Sequence, residues 1–471
     1  MAALSGLGPR TRRVVYGALP PEEVAAELAF TARVDRAHLV MLVERGLVDP
    51  DAARALLKLI TELTETEFAA LAGRPAPRGV YLMYEGYLIE RLGADVGGVL
   101  HTGRSRNDLK ATTTALDLRA WSLDFVEQVA RLQGVLLSRA RAHRAVVMPV
   151  HTHFQAAMPI TYGYYLLGVA HAVGRELRSF RAAVSELDTC PLGAAAVAGT
   201  DLPIDPARTA ALLGFSGTTS HALDSLASRD TPLRLLAAAA SLAVVLSRAA
   251  TDLQLWSSAE FGFVTFPDRL VGGSSAMPQK RNAFLLEHVR AKAGRAIGSW
   301  AGAAATVKSA PFTNSIEVGT ESVAEIRAGL AATAESVALC QVLLAGAVPV
   351  PGRMAERVAT GFTAATSIAN RLVRSGTAFR TAHEVVGDAV RAAVASGSSE
   401  LPGLDEGRTP AELVEAQRYG GGPGAFDLPF DQALADWSAH REWCRAKHSA
   451  LDDAASALDE ATRTAALAAG S

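Results

Sequence analysis

The sequence predicts an all-α protein built around a bundle of long helices. Three observations carry that expectation. Alanine and leucine, both strong helix formers, abound, while aromatic residues make up only 6% of the chain. Runs of β-branched residues in strict alternation are scarce. Apolar residues instead recur at spacings of three and four along stretches longer than a usual globular helix.

Taken in order, residues 1–107 read as an N-terminal helical domain. Long helices are expected over 110–143, 160–187, 225–261, 283–307 and 321–345. Alanine-rich faces let such helices pack side by side, so 108–350 reads as a central bundle. Polar or Gly/Pro-rich segments at 101–108, 148–159, 193–206, 267–278 and 311–320 read as loops, where chemistry can sit on a rigid scaffold. Pro349, Pro351 and Gly352 mark the boundary to a smaller helical domain at 351–471. There Met354, Val358, Phe362, Ala365, Ile368 and Leu372 line one face of a single helix, which Ser375-Gly376 ends. Gly420-Gly421-Gly422-Pro423-Gly424 reads as a flexible loop.

At 471 residues the chain is too long for one ordinary core. Hydrophobic residues make up 49% and charged residues 20%, the balance of a soluble protein. The formal net charge of −2 includes no basic excess, so no nucleic-acid partner is expected. Cys190, Cys340 and Cys444 are far apart and odd in number. Neither a disulfide framework nor a zinc spacing follows, and a cytoplasmic location is expected. Arg10, Arg12 and Arg13 precede no apolar run, so no secretory leader is expected. The most apolar stretch, Leu235 to Leu246, is only 12 residues and reads as a buried helix rather than a membrane span.

The chemistry is concentrated at 273–282, Gly-Ser-Ser-Ala-Met-Pro-Gln-Lys-Arg-Asn. Gly273 gives the backbone freedom to bring N–H groups close to a charged ligand. Pro278 stiffens the loop. Lys280 and Asn282 supply a charge and an amide donor for a carboxylate or carbanion. The string fits Gly-Ser-Ser-x-Met-Pro-x-Lys-x-Asn at every fixed position and so resembles the fumarase/aspartase superfamily. Those enzymes eliminate an amine or water from a succinyl group and release fumarate. Chance matches of this length arise on the order of once in a million, which outweighs the reading as a solvated Ser/Gly loop.

A second string, His101-Thr-Gly-Arg-Ser-Arg-Asn-Asp108, sets Arg104 and Arg106 beside Ser105 and Asn107, where two guanidinium groups could clamp a dicarboxylate. This string resembles the argininosuccinate lyase branch. So do Val96-Gly97-Gly98, Thr152-His153-Phe154-Gln155 with Pro159, and Gly199-Thr200 with Pro203-Ile204-Asp205. Leu223-Asp224 with Arg229-Asp230, Glu260-Phe261-Gly262-Phe263 and Phe379-Arg380-Thr381-Ala382-His383 match as well. The resemblance spans about residues 25 to 425.

What the resemblance implies is specific. The fold is all-α and three-domain, with long helices of four chains joined in a homotetrameric twenty-helix core. Each active site takes segments from three chains. Ser274 acts as an oxyanion base, while Lys280 and Asn282 hold the carbanion-like intermediate. Thr152 and His153 handle the leaving nitrogen. Ser105, Arg106 and Asn107 bind substrate carboxylates, and Ser275, Met277 and Gln155 line the substrate. Imidazole titrates near neutral pH, as an acid for a departing nitrogen must. His151 and His153 are not expected to hold a metal, since no further ligands stand at a fitting spacing, and no cofactor is implied. Glu287 either orients His153 or is a first-turn carboxylate favourable to a helix N-terminus.

Departures cluster on the substrate side. Leu109 and Met158 stand where the branch has Gln. Val80-Tyr81-Leu82-Met83-Tyr84-Glu85 replaces Val-His followed by Glu, and Ala283-Phe284 replaces Pro-Asp. The branch carries Tyr-Asn-Arg-Asp and then Gln and Lys, where this chain has Asn314-Ser315-Ile316-Glu317, Gly319 and Ser322. A site that loses its hydrogen-bonding partners for one substrate discriminates against it. The expected reaction is therefore C–N cleavage of an N-succinyl amino compound whose amine is not arginine. A genuine argininosuccinate lyase, a lyase eliminating another group, and a non-catalytic relative are the alternatives.

Overall fold

The computed structural model describes residues 8–15, 20–76, 78–404 and 407–467. Residues 1–7, on which the leader reading partly falls, lie outside these. The first helices are α1 (Pro9–Val15), α2 (Pro21–Glu44), α3 (Pro50–Glu65), α4 (Val80–Leu92) and α5 (Ala94–Gly97). Proline opens α2 and α3 at a position where its missing N–H is not needed. Asp49 caps α3 by accepting from the N–H groups of Asp51 and Ala52. Leu28, Leu56, Tyr84 and Leu88 bury their side chains against Leu116 in a core distinct from that of the bundle.

The central part runs α6 (Arg106–Ala142), β1 (Val147–Thr152), β2 (Gln155–Thr161), α7 (Tyr162–Ser185), β3 (Thr189–Cys190), α8 (Pro206–Leu212), β4 (Gly217–Thr218), α9 (Ala222–Ala227), α10 (Asp230–Trp256), β5 (Val264–Thr265), α11 (Phe284–Val307), α12 (Ser322–Gly346) and β6 (Val348–Pro349). The strands form three two-stranded pieces, β1–β2, β3–β4 and β5–β6. The last part holds α13 (Pro351–Thr360), α14 (Ala365–Arg374), α15 (Phe379–Ser396), α16 (Pro410–Ala416) and α17 (Asp427–Leu467). Helix α17 returns along α6 and α7 and reaches α2, where Arg36 pairs with Asp459 at 2.5 Å.

Cross-helix contacts give each bundle helix its direction. Asp117 pairs with Arg327 at 2.5 Å, and Arg139 donates to the Ala347 carbonyl at 2.6 Å, so α6 and α12 run parallel. Helix α10 runs with them. A Cβ on Gly329 of α12 would lie 2.6 Å from Leu236 Cδ1 of α10, so only glycine permits this approach. Helices α7 and α11 run the other way, since Tyr165 bonds Asp252 at 2.7 Å and Gln254 bonds Glu287 at 3.0 Å. The starts of α6, α10 and α12 therefore share one end of the bundle. The β1–β2 hairpin and the starts of α7 and α11 share the other. At 1.5 Å per residue, the 37 residues of α6 and the 27 of α10 extend about 55 Å and about 40 Å.

Several expectations are corrected. Residues 148–159 are not a loop but most of an antiparallel hairpin. The helix expected over 225–261 breaks at Ser228-Arg229, because the ring of Pro232 is incompatible with a helical carbonyl at 228. The single amphipathic helix from Met354 to Leu372 is two helices, α13 and α14. The Thr363 hydroxyl donates to the Val358 carbonyl at 2.9 Å, and Phe362 turns to a φ of 53°, which ends the first helix. The Gly420–Gly424 loop is folded into short turns, and Tyr164 bonds its Gly421 carbonyl at 2.9 Å. Helix α10 and the helical stretch Glu317–Gly346 are long and apolar enough to cross a membrane by length and composition. Both belong to the bundle, and Val244, Ile297, Trp300 and Val342 stay exposed on it in the single chain.

Buried imidazoles make this fold acid-sensitive. His38 is fully buried on α2, and its Nε2–H donates to the Thr102 carbonyl at 2.8 Å. Burial first, then the Arg104 charge, holds its pKa down to about 3. The unfolded imidazole takes up a proton near pH 6.5 and the folded one does not. Stability from this group is therefore complete above that pH and falls by about 1.4 kcal/mol per pH unit toward the folded value. The melting temperature should drop between pH 7 and pH 5, and His38→Gln should flatten that dependence. An unchanged slope in the variant, measured by calorimetry, would count against His38.

Candidate active site

The hairpin projects Thr152 and His153. In its ladder Thr152 faces Gln155, leaving His153 and Phe154 as a two-residue turn with φ of 52° and 60°. Such turns need positive φ at both positions and usually hold Asn-Gly. Here an imidazole and a phenyl ring occupy strained positions, and all four tip residues are exposed. A register shift between Val150 and His151 re-aims the strand. His151 packs its ring against Phe261 and Phe263, with centroids 5.6 and 6.0 Å away, so it faces away from the tip.

The signature loop is closed by Gly272 and Asn282, whose backbones exchange hydrogen bonds of 2.9 and 2.8 Å. Inside, Ser274 Oγ accepts from the N–H groups of Ala276 at 3.3 Å and Met277 at 3.1 Å. Two backbone donors on one hydroxyl oxygen favour its anionic form. Lys280 donates its backbone N–H to the Met277 carbonyl at 3.1 Å, and its Nζ has no hydrogen-bond partner among the described residues. Asn282 Nδ2 donates to the Gly273 carbonyl at 3.3 Å. Arg281, by contrast, is tied down by Asp268 and the Phe266 carbonyl. Ser275, Met277 and Lys280 are exposed.

Glu287 lies in the first turn of α11 and accepts from Gln254 Nε2 of α10 at 3.0 Å, not from His153. Gln254 itself carried no motif and was not found from sequence.

At the other end of the bundle Ser105 caps α6, in a capping box with Asp108. Asn107 Nδ2 donates to the Ala196 carbonyl at 3.0 Å, and Arg106 is exposed. The expected two-arginine clamp is corrected. Arg104 points inward and pairs with Asp35 at 2.7 Å, both side chains fully buried. Asp108 is the organising residue that sequence reading passed over, although its place as third residue of a capping box was a signal for it. Its carboxylate accepts from the N–H groups of Ser105 and Leu109, both at 2.9 Å, Gly193 at 3.1 Å and Ala195 at 2.8 Å. Burial pushes its pKa up, against the lowering by these donors. Asp108→Ala should cost about 1–3 kcal/mol, since buried donors lose their acceptor. Chemical denaturation measures it, and a loss within error of zero would refute this role.

The altered segment lies beside this end. Residues Glu317–Glu321 form a π-helical turn leading into α12. Arg229 donates to the Val318 carbonyl at 2.8 Å, Ser322 Oγ to the same carbonyl at 3.0 Å, and Lys110 Nζ to Thr320 at 2.7 Å. A side chain on Gly319 would press on Asn314 Oδ1, 3.3 Å from its Cβ. The structure thus brings together Ser105, Arg106, Asn107 and the 314–322 segment. Thr152, His153, Gln155, Ser274, Ser275, Met277, Lys280, Asn282 and Glu287 belong to the opposite end.

A bundle of long antiparallel helices carrying a Gly-Ser-Ser-x-Met-Pro-x-Lys-x-Asn loop is the architecture of the fumarase/aspartase superfamily. A class II fumarase from Schistosoma mansoni shares the fold with a TM-score of 0.67 at 16% identity, covering 87% of this chain and 91% of that one. EDDS lyase, solved with formate, superposes with a TM-score of 0.84 at 27% identity, covering 98% and 99%. The Lyase family matches residues 74–298 and the argininosuccinate lyase C-terminal family residues 362–414. Argininosuccinate lyase of Methanoculleus marisnigri is 39% identical over 79% of this chain and 75% of its own length. The chain belongs to the argininosuccinate lyase branch of the superfamily, and it is a carbon–nitrogen lyase that releases fumarate.

Proposed function

We propose that the enzyme cleaves the Cα–N bond of an N-substituted aspartate whose leaving amine is not arginine. The observation that carries this is the 314–322 segment, where Gly319 in a π-helical turn and Ser322 at the start of α12 stand in place of polar substrate-seating residues. Ser274, as the oxyanion under two N–H groups, takes the Cβ proton. Lys280 and Asn282 hold the doubly charged carboxylate that develops, the interaction expected to supply much of the rate. His153, aided by Thr152, protonates the nitrogen as the Cα–N bond breaks, leaving fumarate and an amine. Ser105, Arg106 and Asn107 hold the substrate carboxylates, with Ser275, Met277 and Gln155 against its remainder.

These groups lie at opposite ends of helices about 40 Å long or more, so one chain cannot close the site. A homotetramer, in which apolar faces bearing Val244, Ile297, Trp300 and Val342 bury each other, supplies both ends to each site. Three domains at 1–107, 108–350 and 351–471 and a cytoplasmic location complete the reading. The three buried free thiols accord with that location.

A second reading, argininosuccinate cleavage itself, is favoured by the 39% identity. Following fumarate by ultraviolet absorbance with argininosuccinate and a panel of N-alkyl and N-aminoalkyl aspartates separates the two. Turnover of argininosuccinate above every panel member rejects the first.

A further inference from the structure

We propose that the cavity behind the hairpin binds a zwitterionic amino acid with an apolar side chain, at a site separate from the catalytic groups. This open cavity of about 280 Å³ lies between the hairpin, the Glu260–Phe263 segment and α13. Its lining includes none of Thr152, His153, Ser274, Lys280 and Ser105–Asn107. Backbone contacts hold its walls. The Gly262 N–H donates to the Ser258 carbonyl at 2.7 Å and the Phe263 N–H to the Trp256 carbonyl at 2.9 Å. The Val350 N–H, just before α13, donates to the Phe263 carbonyl at 2.8 Å. A Cβ on Gly361, just past α13, would lie 3.6 Å from Ala156 Cβ, so the end of α13 sits against β2. The cavity is therefore set by packed elements rather than by one loop.

One part of the lining is apolar. Phe261 and Phe263 stand edge to face with centroids 5.6 Å apart, and Phe154 joins them with its ring 72% exposed. An apolar side chain placed there takes these rings out of water. The charged lining is nearly self-cancelling. Arg353 pairs with Glu356 at 2.9 Å, three residues along α13. His151 adds no charge at neutral pH, because burial first and then the Arg357 cation lower its pKa. What remains is Arg357 on α13 and Glu260 on the facing segment, and neither forms an ion pair or hydrogen bond among the described residues. One cation and one anion without partners complement the carboxylate and the ammonium of a single amino acid, the guanidinium taking the carboxylate. Arg357 also lies in the last turn of α13, where a cation is favourable without any ligand. That accounts for Arg357 alone, and leaves Glu260 and the uncovered Phe154 ring without a reason to share one cavity with it.

The test is isothermal titration calorimetry of the assembled enzyme with L-phenylalanine as the probe. One saturable site per chain is expected. Arg357→Gln and Glu260→Gln should each weaken binding about tenfold, as for loss of one charge-assisted hydrogen bond. Hydrocinnamate, which lacks the ammonium, should bind more weakly than L-phenylalanine and be indifferent to Glu260→Gln. Thr360→Trp, which fills the cavity and removes neither charge, should abolish binding. All three positions are exposed, so the variants should melt with the wild type. Absence of saturable binding to the wild type overturns the proposal. So does an affinity that all three variants leave unchanged, which puts the amino acid elsewhere on the enzyme. Weakening by Arg357→Gln but not by Glu260→Gln leaves a plain carboxylate site and rejects the zwitterion.

Discussion

Ser274→Ala will lower kcat for fumarate release by about 10²–10⁴-fold, the range for removing a positioned base, and will leave the melting temperature unchanged. The two halves of that result have separate causes. Ser274 Oγ is the hydroxyl of the signature loop that accepts from two backbone N–H groups, at 3.3 and 3.1 Å, so it alone there is prepared to carry negative charge. The loop is mostly exposed and its closure rests on the Gly272–Asn282 backbone pair, so losing one hydroxyl removes no core packing. Ser275→Ala, one residue along, should cost far less, because that hydroxyl lies exposed and outside the donor pair. Stopped-flow measurement of fumarate with both variants decides between them. A Ser274→Ala enzyme within threefold of wild type would mean that another group takes the proton.

The second large effect is a recovery rather than a loss. Ser274→Ala and Asn107→Ala should each be nearly inactive alone, and mixed tetramers should regain activity. The two residues stand at opposite ends of the bundle, so in the proposed composite site they come from different chains. In randomly mixed tetramers each lesion then reaches half the sites independently, and about a quarter of sites are intact. If both residues came from one chain, every site would carry a lesion and no activity would return. Subunit mixing after mild dissociation, with fumarate release as the readout, distinguishes the outcomes. Continued inactivity despite verified exchange would reject the composite site.

Much of this was legible in residue order. The spacing of alanine and leucine announced the long helices, and the observed α11 and α12 begin within a residue of expectation. The 273–282 and 101–108 strings announced the chemistry and the branch. Other features depend on distant partners. The hairpin at 147–161 was hidden because its strands satisfy each other's backbone and carry no long alternating pattern. The inward turn of Arg104 was hidden because Asp35, its partner, is far away in sequence. Gln254, the partner that Glu287 meets across α10 and α11, was hidden for the same reason.

By itself, the sequence determined the reaction class, since local strings of Ser, Lys, Asn and His carry their chemistry wherever they are placed. Only the tertiary structure decided which of those strings can meet. Parallel and antiparallel packing sends Ser105 and Ser274 to opposite ends of the same rigid helices. Direction in a bundle is settled by contacts such as Asp117 with Arg327 and Gln254 with Glu287, between residues with no local relation in the chain.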